Sequence, residues 1–337
     1  MAFGPKVRLG MYEKIASYLG TGVDLDNAME EMAEAYNHFK KGDIRAKILR
    51  ELRACLASGM TLANALTMWA PPAEVMLIKA GEKSGDLEGA MENAKLATNA
   101  TKEMKSAIIS QLSYPLVLVI MLLVMMYIFS IQAVPQLAEV MPPSQWPAIS
   151  MGLYYISMAV KNYWLEALIV FAVVFIFVAK TLPSLSGSLR KKLDIFPPYS
   201  IYKSYQGSIF LVSLSALMTT GVAVYEALNE LKDLSPKYVK DHINKMQGKL
   251  MDGNNIGGAL ETGLLDRETA IDMRVYGSKP NIEDKMGTIG KNAIDYGIKR
   301  IESIGSLIRG LMTMAIGGYI AYVLIAFSVL TQSMKQM

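Results

Sequence analysis

The sequence predicts an all-α membrane protein with two homologous cytoplasmic helical bundles and three transmembrane helices. Three observations predict this fold class: apolar runs long enough to cross a bilayer, helical periodicity between those runs, and a unit that occurs twice along the chain. The 337 residues are 52% hydrophobic and 19% charged, and the apolar excess is concentrated in a few segments. The net charge of +4 is too small to suggest a nucleic-acid-binding protein.

Two segments have the length and composition of transmembrane helices. No charged residue occurs at 106–138 or at 310–334, and about 20 apolar residues suffice to cross a hydrocarbon core of about 30 Å. We therefore predict transmembrane helices at 115–134 and 310–331.

The regions that precede these two helices resemble each other at an offset near 195 residues. TGVDLDNAMEEM, from Thr21, resembles TGVAVYEALNEL, from Thr220. LRACLASGMTLANAL, from Leu52, resembles MQGKLMDGNNIGGAL, from Met246, and Gly81 then corresponds to Gly277. The chain is thus predicted to contain two copies of one unit, each leading into a transmembrane helix.

A third apolar segment, 163–182, is less decisive because Glu166 and Lys180 enclose only 13 uncharged residues. A buried helix of a soluble core is the alternative. Both charges lie near the segment's ends, where long side chains reach the membrane interface. Two like copies are expected on the same side of the membrane, which requires an even number of crossings between them. The repeat therefore predicts that this segment also spans.

The polar regions have the periodicity of amphipathic helices. In the first copy the apolar positions are spaced by three and four residues, at Leu25, Ala28, Met29, Met32, Ala33, Tyr36 and Phe39. Thr21 followed by Asp24 predicts a helix N-cap with a variant capping box at Thr21. Glycine clusters at 20–22, 59 and 81–85 predict breaks between helices.

Basic residues flank the apolar segments asymmetrically. Those next to the predicted spans are Lys102, Lys105, Lys180, Arg190, Lys191, Lys192, Lys299, Arg300 and Arg309. The positive-inside rule then places the regions on either side of the bilayer. We predict cytoplasmic bundles at 1–114 and 183–309, a periplasmic loop at 135–162 and a periplasmic tail at 332–337.

One motif makes the sequence resemble a known family. Residues 80–87 read Ala-Gly-Glu-Lys-Ser-Gly-Asp-Leu, Tyr114-Pro115 opens the first span, and each copy starts with Thr-Gly-Val. These features resemble the inner-membrane platform proteins of type II secretion and type IV pilus assembly, with the pilus branch favoured. The second copy of the motif departs from the pattern, because Ser278 occupies the family's acidic position.

The resemblance implies a scaffold of the bacterial inner membrane that is not an enzyme and needs no cofactor. It implies coupling of a hexameric cytoplasmic assembly ATPase to the polymerisation of pilins or pseudopilins. Other inner-membrane assembly proteins are implied partners, and we expect the chain to form a homo-oligomer. The rival hypothesis is a small transporter or channel, because transporters are also built from duplicated halves.

No pattern in the chain predicts catalysis or metal binding. His38 and His242 lack the spacing of metal ligands, and Gly287 to Asn292 lacks the spacing and hydroxyl of a phosphate-binding loop. The candidates that remain are interaction residues. Gly81, Glu82, Ser84, Gly85 and Asp86 form either a partner-docking element or a tight inter-helix turn. Candidates for transmembrane helix packing or self-association are Pro115, Gly317, Gly318 and Ala321.

Overall fold

A computed structural model describes residues 3–277 and 282–335, and every regular element within these ranges is helical. The all-α fold class is thereby confirmed. The helices are α1 Pro5–Gly20, α2 Leu25–Phe39, α3 Ile44–Ala57, α4 Leu62–Leu66, α5 Pro72–Ser84, α6 Leu87–Ile128, α7 Val134–Val140, α8 Ala148–Ser184, α9 Ser188–Leu193, α10 Tyr199–Thr219, α11 Val224–Leu234, α12 Lys237–Met251, α13 Ile256–Leu260, α14 Arg267–Tyr276 and α15 Ile282–Lys335.

The chain folds into two compact units. The bundle unit comprises Met1–Ala107 and Pro183–Arg300, and therefore holds both polar copies. The span unit comprises Ile108–Leu182 and Ile301–Met337.

The copy at 1–114 is called here repeat 1, and the copy at 183–309 repeat 2. Repeat 1 buries one continuous hydrophobic core. Met11 and Ile15 of α1 pack with Met29 of α2, Leu49 of α3 and Leu66 of α4. Each of these side chains is less than 4% exposed. The predicted amphipathic helices therefore bury their apolar faces against one another.

Repeat 2 follows repeat 1 helix by helix. Gly59 ends the turn after α3 with φ 86°, and Gly253 takes φ 82° after α12. Gly22 and Gly221, in the Thr-Gly-Val segments, both have φ 84°. L-residues with side chains rarely adopt such angles, so the matching glycines mark structurally equivalent turns. The glycine clusters predicted as helix breaks are confirmed at these positions.

The capping role predicted for Thr21 is wrong. Thr21 follows the end of α1, and its hydroxyl donates to the Tyr18 carbonyl at 2.8 Å. The N-cap of α2 is Asp24, whose Oδ1 accepts from the Asn27 amide at 3.0 Å. The chain reverses at Gly22 before α2 begins, so the first capping position comes three residues later than predicted.

The apolar stripe predicted on α2 is confirmed except at its last position. Ala28, Met29, Met32 and Ala33 are buried. Phe39, the last residue of the helix, is 89% exposed. The spacing continued through Phe39, but the helix there has passed the edge of the core.

Among the described residues, three helical stretches are long and apolar enough to cross a membrane: Leu87–Val140, Ala148–Ser184 and Lys285–Lys335. Each contains one predicted span and extends beyond it. In α8, the large apolar residues from Leu168 to Phe177 are more than half exposed, as expected of a surface covered by lipid. The helix is kinked at Tyr163, where φ is −117° and ψ is 15°.

The segment between the first two spans is mostly helical. It contains α7, a 3₁₀ turn at Pro143–Gln145 and the beginning of α8. Trp146 is buried with Val134 and Leu330, and its indole Nε1 donates to the Met141 carbonyl at 2.8 Å.

Candidate interaction site

The motif at 80–87 forms the turn between α5 and α6, called here the signature turn. Helix α5 ends at Ser84, and Gly85 follows in the left-handed conformation with φ 78°. Asp86 Oδ1 then accepts from the Gly89 amide at 2.8 Å, which caps the first turn of α6. The structure thus places Gly85 and Asp86 in a helix–turn–helix junction.

Gly81 lets α5 and α6 approach closely. A Cβ at this position would lie 2.1 Å from the Ala90 Cβ and 2.6 Å from the Asp86 carbonyl oxygen. Both distances are far below van der Waals contact, so any side chain here would force the two helices apart.

Glu82 lies on α5, but its side chain stabilises α4. Its carboxylate accepts from the Leu62 amide at 2.6 Å and the Ala63 amide at 3.0 Å. These amides are free donors at the N-terminus of α4, where a negative charge is favourable. Sequence reasoning missed this contact, because nothing in the spacing pairs position 82 with positions 62 and 63.

Four residues of the signature turn are exposed. Lys83, Ser84, Gly85 and Asp86 face solvent, whereas Gly81 is buried. The Ser84 hydroxyl donates weakly to the Gly81 carbonyl at 3.3 Å. The turn therefore has a structural inner face and a polar outer edge.

The signature turn of repeat 1 lies against the start of repeat 2, within the bundle unit. Nζ atoms of Lys79 and Lys83 each lie 3.7 Å from carboxylate oxygens of Glu230 on α11. A cleft of about 250 Å³ separates the two sides and is also lined by Ser84, Thr220 and Gly221. The Thr-Gly-Val segment of repeat 2 and the motif of repeat 1 thus share one surface. The corresponding motif of repeat 2 runs from Tyr276 to Ile282, and its residues 278–281 lie outside the described residues.

A buried ion pair holds α1 against α5. The Arg8 guanidinium donates to both carboxylate oxygens of Glu74, at 2.7 and 3.0 Å. The Tyr12 hydroxyl donates to Glu74 at 2.8 Å. Burial raises the pKa of Tyr12 well above its usual value, and the adjacent Glu74 charge raises it further. Sequence reasoning did not single out these residues.

A second buried arginine anchors the beginning of repeat 2. Arg190 is 1% exposed and pairs with Asp194 at 2.7 Å. Its guanidinium carbon lies 4.1 Å from the ring centre of Tyr238 and 4.7 Å from that of Tyr199, which is cation–π geometry. From the sequence, Arg190 was identified only as one of the basic residues that flank the predicted spans.

His242 lies in the same helix as Tyr238 and faces the interior of repeat 2. Its Nδ1 is 3.0 Å from the Thr262 hydroxyl. Burial, and then the positive charge of Lys245, lower the pKa of His242 to about 4. The imidazole is therefore neutral at pH 7. Among the side chains that the structure describes, no group of three histidine, cysteine or acidic residues is arranged to hold a metal ion.

In the span unit, α15 contacts α8 through residues that lie C-terminal to the predicted small residues 317, 318 and 321. The Tyr322 hydroxyl donates to the Ile149 carbonyl at 2.9 Å, and the Ser150 hydroxyl donates to the Ala326 carbonyl at 2.7 Å. Ala326 and Leu330 are buried.

The four predicted packing residues differ in their burial. Ala321 is exposed, and a Cβ at Gly317 or Gly318 would meet no atom of the described residues within 4 Å. Pro115 is buried inside α6, which continues through it.

Residues 11–135 match the family described as "Type II secretion system (T2SS), protein F". Repeat 1 and the first span thus carry this domain. Similarity to curated proteins extends over most of the chain. The toxin coregulated pilus biosynthesis protein E of Vibrio cholerae is 26% identical over 319 residues, which is 92% of each chain.

Two further relatives are type IV pilus assembly proteins called PilC. The Pseudomonas aeruginosa protein is 24% identical, over 91% of this chain and 85% of its own length. The Myxococcus xanthus protein is 21% identical, over 93% of this chain and 76% of its own length. Taken with the helical repeats and three apolar helices, these similarities show that the chain carries a domain of the type II secretion protein F family at 11–135 and resembles type IV pilus biosynthesis and assembly proteins along most of its length.

Proposed function

We propose that this protein is an inner-membrane platform for type IV pilus assembly, which couples a cytoplasmic assembly ATPase to pilin polymerisation. The observation that carries the proposal is similarity along more than nine-tenths of the chain to pilus biosynthesis and assembly proteins. Three membrane-length helices and two packed helical repeats suit a scaffold that must hold partners next to the bilayer.

The proposed topology places the bundles at 1–114 and 183–309 in the cytoplasm, and the loop at 135–162 and the tail at 332–337 on the periplasmic side. Basic residues flanking the three apolar helices support it. Chemical labelling tests this orientation. In a Cys55→Ser background, a cysteine replacing exposed Ser144 should react with a membrane-impermeant maleimide in spheroplasts. A cysteine replacing Met251, which is 71% exposed, should react only after lysis. The opposite pattern would contradict the topology.

Recruitment of the ATPase tests the function. We expect the full chain, purified in detergent, to retain the assembly ATPase produced in the same cells. Segments 1–100 and 185–305 are then tested separately. Failure of both segments to bind, under conditions where the full chain binds, would contradict recruitment by the bundles. Ion flux through proteoliposomes containing only this protein would instead favour a channel.

We further propose that the exposed edge of the signature turn contacts a partner. Its inner residues, Gly81 and Glu82, are occupied by contacts within the bundle unit, which leaves Lys83 and Ser84 accessible. Ser84→Arg adds a large charged side chain at the exposed edge, so it should weaken ATPase retention without changing the melting temperature. The matched control is Ser58→Arg, at the exposed turn after α3. Equal retention by both variants would contradict a docking role for the turn.

A further inference from the structure

A short segment connects α8 to repeat 2 and carries an unusual surface. After α8 ends at Ser184, only residues 185–187 precede α9, and α10 begins at Tyr199. We call 188–196 the juxtamembrane segment. Because one residue extends the chain by at most about 3.6 Å, Leu189 lies within about 18 Å of the end of α8. The beginning of the segment therefore lies close to the place where the second apolar helix ends.

One side of the juxtamembrane segment is fixed to the bundle unit. Arg190 is buried among the rings of Tyr199 and Tyr238, as described above. Asp194, one helical turn later, pairs with Arg190 and accepts from the Tyr238 hydroxyl at 3.1 Å. These contacts determine which side chains of the segment point inward.

The opposite side is apolar and basic. Leu189, Ile195 and Phe196 are 69%, 71% and 64% exposed, and Lys191 and Lys192 are exposed as well. Single exposed apolar side chains are ordinary on protein surfaces, but a grouped patch marks a contact with another apolar phase. Aromatic and aliphatic residues mixed with lysines are typical of segments that lie at the surface of an anionic bilayer.

We propose that the juxtamembrane segment lies in the headgroup region of the membrane leaflet at which α8 ends. Leu189, Ile195 and Phe196 insert among the acyl chains, while Lys191 and Lys192 contact anionic headgroups. The inward contacts of Arg190 and Asp194 then tie repeat 2 to this membrane surface. The proposal requires α8 to span the bilayer, but it holds whether or not the chain recruits an ATPase.

Spin-label accessibility in reconstituted protein tests the proposal. Cys55 is the single cysteine, so the full chain with Cys55→Ser accepts one label at a chosen site. The test site is Phe196→Cys, and the matched control is Phe39→Cys, a phenylalanine of repeat 1 that is 89% exposed. The measured quantity is the ratio of collision rates with oxygen, which partitions into lipid, and with a water-soluble nickel chelate.

In vesicles of phosphatidylcholine and phosphatidylglycerol, we expect a several-fold higher ratio at position 196 than at position 39. Adding Lys191→Gln and Lys192→Gln should lower the ratio at 196, as should replacing the anionic lipid with phosphatidylcholine. A label at Ile195→Cys repeats the measurement if Phe196→Cys fails to fold.

Two outcomes would overturn the proposal. Equal ratios at 196 and 39 would show that the segment is in water. Exclusion of both reagents at 196 would show that protein covers it, and if the exclusion is lost on dilution into excess lipid, the cover is a second copy of this chain.

Discussion

Glu74 is the acceptor on which three contacts of repeat 1 converge. Two come from the Arg8 guanidinium and one from the Tyr12 hydroxyl, and both charged groups are less than 10% exposed. Removing one partner of a buried pair leaves the other charge without compensation, which costs about 3–5 kcal/mol. We therefore expect Glu74→Gln to lower the free energy of unfolding of the detergent-solubilised chain by about that amount, measured by denaturant titration of the helical circular dichroism.

Asp26 provides the control for this prediction. It pairs with Arg53 at 2.6 Å, but its side chain is 57% exposed. Exposed pairs contribute about 1 kcal/mol or less, so Asp26→Asn should change the free energy of unfolding little. Similar losses in the two variants would show that burial of the Arg8–Glu74 pair does not determine its importance.

His242 makes the stability of repeat 2 dependent on pH. Its pKa is about 4 in the folded chain and about 6.5 when unfolded. Between these values the unfolded chain binds more protons than the folded chain, so the free energy of unfolding falls as the pH is lowered from 6.5 to 4. His242→Gln should flatten this pH dependence. His38→Gln, at an exposed position, should leave it as in the parent protein, and a slope unchanged by His242→Gln would refute the assignment.

At the scale of elements, the closest approach in the signature turn is that of α5 and α6 at Gly81. Because an added Cβ would lie 2.1 Å from the Ala90 Cβ, Gly81→Ala should destabilise the protein by about 1–3 kcal/mol. Gly10→Ala, in α1, meets no atom of the described residues within 4 Å and should stabilise by about 0.4–1 kcal/mol. Thermal unfolding of the two variants against the parent gives the comparison, and a neutral Gly81→Ala would contradict the close crossing.

The helices and turns also show which structural features can be predicted from local sequence patterns. The three apolar stretches and the turns at Gly22, Gly59 and Gly85 were predictable, because length, hydropathy and glycine are local signals. The contact of Glu82 with α4 was not, because it joins residues 20 apart through tertiary packing. The prediction of a cap at Thr21 was wrong for a related reason. Thr21 and Asp24 both have side chains that can cap a helix, but the chain reverses at Gly22, so α2 begins after Asp24.

On the scale of the whole molecule, duplication explains why the two repeats have the same order of helices, but it does not explain why their surface residues differ. Lys79 of α5 and Lys83 of the signature turn both contact Glu230 of repeat 2. With Gly81 paired to Gly277, Lys79 corresponds to Val275 on α14, which is 52% exposed. The two copies thus share helix order and turns while presenting different side chains at this position.

The proposed platform role is tested most directly by pilus formation in the organism that encodes the protein. Cells that lack the chain but still produce pilin and the assembly ATPase should form no pili, as counted by electron microscopy. The intact chain supplied in trans should restore them. Normal piliation without the chain would contradict the platform role.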